Sequence, residues 1–280
     1  MAFVQSGDVN LYVEETGRGY PIVFVHEFGS DHREWEPQVR WFSRAYRCIT
    51  YNARGYPPSD VPDDRDRYGW EFAVADLLAV LDGLGIDRAH VVGLSMGGYA
   101  VLQFGLRHPE RASAIVAAGA GSGSGPAERA DWPRVAGAIA ERFVTDGMAA
   151  MADEIGHGPT RTQLLRKSPR AWDEFMDHLR EHSPVGMANT MARYQALRPS
   201  LYDFEDDFRA LAVPVLLALG DEDGPCLETN LMLKRAIPGA GLWIHPHTGH
   251  AINLEEPAAF NAMVGAFLAD VDRGMAGRSV

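Results

Sequence analysis

One serine stands out. Val91-Val92-Gly93-Leu94-Ser95-Met96-Gly97-Gly98 is a β-branched run that stops at a glycine, presents Ser95, and resumes as a helix-compatible stretch. A Gly-x-Ser-x-Gly turn between strand and helix holds the serine in strained backbone, and it needs small neighbours because the flanking segments pass very close together. The type and setting point to a nucleophile. A serine hydroxyl is weak at neutral pH, so the chemistry also requires a base within reach and an acid to orient that base. Asp223 in Gly220-Asp221-Glu222-Asp223 and His250 in His247-Thr248-Gly249-His250 each follow an apolar run, in the order Ser, Asp, His. Asp221 and His247 are the competing acid and base.

The elements that must carry these residues alternate. Phe3-Val4 and residues 9–14 show the period-two pattern of half-exposed strands. Residues 21–26 are an apolar run without alternation, suited to a strand covered on both faces, and further strands are read at 46–51, 90–92, 112–118, 213–219 and 241–245. Helical spacing between them implies a mostly parallel sheet. In an open sheet of this kind, ligands sit beyond the carboxyl ends of the strands, where Ser95, Asp223 and His250 all fall.

From Pro126 the alternation stops. Residues 126–207 read as several short helices, 127–141, 145–155, 169–181 and 185–196, rich in Met and Trp. They form an inserted helical cap on a core made of residues 1–125 and 208–280. Met148, Met151, Met176, Met187 and Met191 read first as packing residues and second as the adaptable wall of an apolar pocket.

The chain resembles the α/β-hydrolase superfamily. The resemblance rests on Gly93-Leu94-Ser95-Met96-Gly97, on His26 with Phe28-Gly29, on Arg54-Gly55 with Ser59-Asp60, on Gly220 to Asp223, and on Gly249-His250 with Glu255-Glu256-Pro257. It implies the α/β-hydrolase fold, a mostly parallel eight-stranded sheet flanked by helices with the cap inserted. It also implies Ser95 as nucleophile, His250 as base and Asp223, fourth in Gly-x-x-Asp, as acid. The oxyanion donors would be the backbone amides of Phe28 and Met96. The chain departs from the family where His26-Glu27 replaces the usual His-Gly. Glu27 is accordingly a candidate for loop support or for entry into the substrate pocket, with a solvated side chain as the plain alternative. Trp35, Tyr99 and Tyr194 are candidate substrate-binding aromatics, with ordinary core packing as the alternative.

The expected activity is hydrolysis of a small carboxylic ester through an acyl-enzyme. The alternatives are C–C bond hydrolysis of diketone-type substrates, lactone opening, and a ligand receptor that keeps the triad without turnover. No cofactor is expected. Cys48 and Cys226, the only two cysteines, make neither a disulfide framework nor a metal set, so no metal is expected and a reducing cytoplasm fits. A net charge of −12 argues against nucleic acid or an anionic membrane as partner. Basic stretches such as Arg161 to Arg170 read as solvated helix faces. No secretory signal and no apolar run of membrane-spanning length is visible. A small-molecule substrate is the expected partner; acyl length and the existence of a homo-oligomer are left open.

Overall fold

The computed structural model describes residues 2–274. Its eight strands are β1 (Ala2–Ser6), β2 (Val9–Gly17), β3 (Tyr20–Val25), β4 (Tyr46–Tyr51), β5 (Ala89–Leu94), β6 (Ala112–Ala118), β7 (Val215–Gly220) and β8 (Gly241–His245). They form one sheet in the order β1-β2-β4-β3-β5-β6-β7-β8. Only β2 runs against its neighbours; the pairs from β4-β3 to β7-β8 are all parallel. β5, β6 and β7 are buried along their whole length, as their unbroken apolar runs require, whereas edge strand β1 keeps an alternating pattern.

The pleat sends alternate residues of each strand to opposite faces. Ile22, Phe24, Val92, Leu94, Val116 and Ala118 pack against helices α1 (Glu36–Phe42) and α13 (Pro257–Asp272). Val23, Val25, Val91, Ile115 and Ala117 face the other way, against α2 (Trp70–Gly83) and α3 (Met96–Arg107). Trp35 belongs to the first layer, fully buried with its ring 5.1 Å from that of Phe24. The expectation that it faces a substrate pocket is therefore corrected: the chain turns into α1 right after it, which directs the indole beneath the sheet.

Between β6 and β7 the described chain has no strand. It runs through α4 (Pro126–Arg129), α5 (Trp132–Thr145), α6 (Gly147–Gly156), α7 (Thr162–Lys167), α8 (Pro169–Arg180), α9 (Pro184–Asn189) with a π-helical turn at Thr190–Gln195, and α10 (Glu205–Arg209). The break before α6 falls at Gly147, whose φ of 81° is a left-handed conformation suited to glycine. The return leg supplies α11 (Gly224–Ala236) and α12 (Ile252–Glu255). Among the described residues no helix is long and apolar enough to cross a membrane.

Candidate active site

Ser95 stands at the junction of β5 and α3 with φ 53° and ψ −108°, a left-handed backbone rare for a residue with a side chain. Two hydrogen bonds hold it. Its amide donates to the Ala118 carbonyl on β6 at 2.8 Å, and its own carbonyl accepts from Tyr99 at 2.9 Å, starting α3. Gly93 and Gly97 allow the turn to close: a Cβ on Gly93 would lie 2.2 Å from the Gly97 carbonyl oxygen, and one on Gly97 would lie 2.0 Å from that of Val25. The result is a half-buried hydroxyl held proud of the sheet, as the sequence requires of a nucleophile.

His250 lies in the loop between β8 and α12. Its Nδ1 is 2.9 Å from Asp223 Oδ2 at the start of α11. The loop itself is held by Glu255, whose carboxylate accepts from the Gly249 amide at 2.6 Å and the Ala251 amide at 3.1 Å, bracketing the histidine from both sides. Gly119, after β6, leaves room for the pair, since a Cβ there would come 3.3 Å from both Asp223 Oδ2 and the His250 ring. Burial works against a charged imidazole, but the Asp223 charge and hydrogen bond outweigh it and push the His250 pKa well up. His247, the competing base, is exposed; Asp221, the competing acid, is exposed and accepts from the Thr248 amide at 3.2 Å.

The loop after β3 is clamped from several sides. Ala53 donates its amide to His26 Nε2 at 3.0 Å, so the ring proton sits on Nδ1, which donates to the Glu27 carbonyl at 2.7 Å. Tyr56 donates its hydroxyl to the Phe28 carbonyl at 2.9 Å. The Glu27 amide is taken by Glu34 Oε1 at 2.9 Å, while among the described residues the Phe28 amide donates to nothing. The Met96 amide heads α3, outside that helix's own ladder. Both amides stay available for an anion.

Glu27 itself is buried and forms a buried ion pair with Arg161 of the inserted helices. Its second oxygen lies 3.8 Å from His250 Nε2. Of the readings open to it, the solvated one is excluded: the side chain both supports the loop and borders the pocket. Arg161 corrects the reading of its stretch as a solvated face. It is 2 % exposed, lies over the Phe175 ring at 4.6 Å, and spans the seam between core and insert. Arg170 alone of the two ends of that stretch is in solvent.

A cavity of about 340 Å³ opens between the loop ends and the insert. Ser95, His250, Glu27 and Phe28 form its floor, and Trp132, Met151, Met191, Arg161 and Arg198 are among its walls. Tyr99 and Tyr194 are not in the wall but behind it. The Tyr99 hydroxyl donates to the Pro199 carbonyl at 3.0 Å, the Tyr194 hydroxyl to the Met96 carbonyl at 2.9 Å, and both rings underlie the Arg198 guanidinium. Neither ring lines this cavity, which leaves both with the packing alternative. Trp132 and Arg198, which the sequence did not single out, are set by the insert's packing; the Trp132 indole donates to the Gln195 carbonyl at 2.7 Å.

Asp223, Cys226 and His250 bring their donor atoms within 4.8 Å of one another. The thiol is a poor metal ligand here. Burial and the Asp223 charge push its pKa up, away from the thiolate that metals bind, and its Sγ donates to the Gly119 carbonyl at 3.2 Å. Asp223 Oδ2 and His250 Nδ1 are already taken up by their own hydrogen bond.

Residues 20–257 match the family model described as the alpha/beta hydrolase fold. The chain is 25% identical over 256–260 residues to curated relatives that include the 3-oxoadipate enol-lactonase 1 of Acinetobacter baylyi, a match over 89% of each chain. It is 27% identical to the 2-hydroxymuconate semialdehyde hydrolase of a Pseudomonas strain, over 94% of this chain and 92% of that one. Among solved structures, the enol-lactonase of Burkholderia xenovorans superposes with a TM-score of 0.84 at 25% identity, covering 96% of this chain and 100% of the other.

Proposed function

Since the chain belongs to the α/β-hydrolase family and is a hydrolytic enzyme, we propose that it cleaves a small carboxylic ester through an acyl-enzyme on Ser95. In this reading the Ser95 hydroxyl attacks the ester carbonyl while His250 Nε2 takes its proton. Asp223 keeps the ring oriented through Nδ1 and stabilises the imidazolium that forms. The tetrahedral oxyanion accepts from the Phe28 and Met96 amides, whose preorganised dipoles act where charge develops. His250 then returns the proton to the departing alcohol, and water, activated by the same base, frees the acid. The observation that carries the reading is the 2.9 Å His250–Asp223 hydrogen bond with Ser95 and His250 lining one cavity.

Glu27 bears on this mechanism, because an unbalanced carboxylate beside the reacting carbonyl would oppose a developing oxyanion. Arg161 supplies the balance, so the pair brings little net charge to the floor. A lactone is an internal ester and follows the same steps, which the enol-lactonases among the relatives make the first substrate variant to try. A carbon–carbon hydrolase, as the relative acting on a 2-hydroxymuconate semialdehyde is named, stands as the second reading. A reducing cytoplasm belongs to the proposal as well, because Cys48 and Cys226 are free, buried thiols.

Short-chain 4-nitrophenyl esters test it. Ser95→Ala is expected to lower kcat/KM by on the order of ten-thousandfold with the melting temperature preserved, and a phosphonate probe should label Ser95 alone. Full activity in Ser95→Ala would end the proposal; turnover of a vinylogous diketone but of no ester would move it to the carbon–carbon reading.

A further inference from the structure

Five charged or chargeable side chains border the cavity: Glu27, Arg161, Glu154, His250 and Arg198. Four of them have partners. Glu27 pairs with Arg161, His250 with Asp223, and Glu154 with Arg142 at 2.7 Å on the outer side. Arg198 does not: among the described residues it is in no ion pair, although it is 3 % exposed. One amino group donates to the Ser122 carbonyl at 2.9 Å, and the guanidinium carbon lies 4.7 Å from the Tyr99 ring centre and 5.9 Å from that of Tyr194. Its other amino group, Nη1, is buried without any hydrogen-bond partner among the described residues.

A buried cation without a counter-ion is costly, and stacking on two tyrosines with one carbonyl offsets only part of that cost. Structures that keep such a group generally use it, since an arriving anion regains what the empty site forfeits. A planar guanidinium with a free donor suits a carboxylate. We infer that Arg198 anchors the carboxylate of an anionic substrate, so that the ester or lactone cleaved at Ser95 carries a second, free carboxyl group. This deepens the esterase reading and rests on it for the scissile bond, but not for the anion site. The Glu27 charge does not oppose the anion, because Arg161 already matches it.

The test compares 4-nitrophenyl hemiglutarate with neutral 4-nitrophenyl valerate, and 4-acetoxybenzoate with 4-nitrophenyl acetate, so that the anion sits once in the acyl and once in the alcohol half. Wild type should prefer one anionic ester over its neutral counterpart by about tenfold or more. Arg198→Gln should reduce that preference by about ten- to hundredfold through KM, and Arg198→Lys, which keeps charge but loses the fork, should fall between. Calorimetry with glutarate and benzoate on the Ser95→Ala protein gives an answer independent of turnover: one should bind, and not once Arg198→Gln is added. If no ester is hydrolysed yet the anion binds through Arg198, the esterase reading fails and the anion site stands. Wild type that prefers neutral esters in both pairs and binds neither anion overturns the inference, whatever the variants do. So does an Arg198→Gln protein that loses both substrates of a pair equally, which would make the arginine a prop for the Ser122 loop.

Discussion

His250 is useful as a base only when neutral, so its environment dictates a pH dependence. Burial by itself would lower its pKa; Asp223 overrides this and raises it well above the ordinary 6.5. The rate should therefore climb with pH along a limb centred above 6.5 and fall away as the ring protonates below it. Asp223→Asn should both lower kcat by on the order of a thousandfold or more and move that limb toward lower pH. A pH profile of kcat/KM decides this, and a limb that stays in place when Asp223 is replaced would show that another group sets it. The candidate triad of Ser95, Asp223 and His250 was legible in the sequence because few residue types could do that chemistry and each sits after an apolar strand. Arg161 and Arg198 were not. A buried arginine and a solvated one look alike until packing reveals that the first pairs with Glu27 and the second, among the described residues, with no carboxylate.

At the scale of elements, the turn from β5 into α3 concentrates the steric demand. Gly97→Ala would press a methyl against the Val25 carbonyl 2.0 Å away, with backbone on both sides and nothing flexible to yield. The expected cost is several kcal/mol, read as a large fall in the denaturation midpoint or as insoluble protein. Gly125→Ala is the control: nothing lies within 4 Å of that position, φ is −55°, and stability should change little or rise slightly. A Gly97→Ala protein as stable as the Gly125→Ala one would contradict the close approach. The strands were readable because continuous burial forces continuous apolar runs; the sheet segments fall within a residue or two of where those runs lie. The inserted helices were less so. Residues 127–141 read as one helix but break after Arg129, and α7 was hidden in a basic stretch whose charges suggested solvent. Short helices joined by 3₁₀ and π turns blur the 3.6-residue period that reveals a longer one.

Across the whole molecule, the sheet and the insert meet along a seam bridged by charges. Arg33–Glu181 and Arg193–Asp66 are exposed pairs and contribute little each, whereas Glu27–Arg161 is shut away from water. Replacing one member of a buried pair strands the other, so Glu27→Gln should destabilise the fold by about 3 kcal/mol or more. That the fold would need such a bridge was not legible, since the sequence alone shows only a glutamate after His26. The bridge also carries a consequence in time. Its two residues are 134 apart in the chain, and the second lies in an element inserted after six of the eight strands, so the contact closes late. An interaction absent from the transition state leaves the folding rate alone and slows unfolding. In a chevron experiment, Glu27→Gln should therefore leave the refolding limb nearly unchanged and raise the unfolding rate roughly a hundredfold; a loss borne by the refolding limb would place the pair in the nucleus instead. The carboxylate beside the candidate catalytic histidine would then also act as a latch, setting how long a folded molecule lasts.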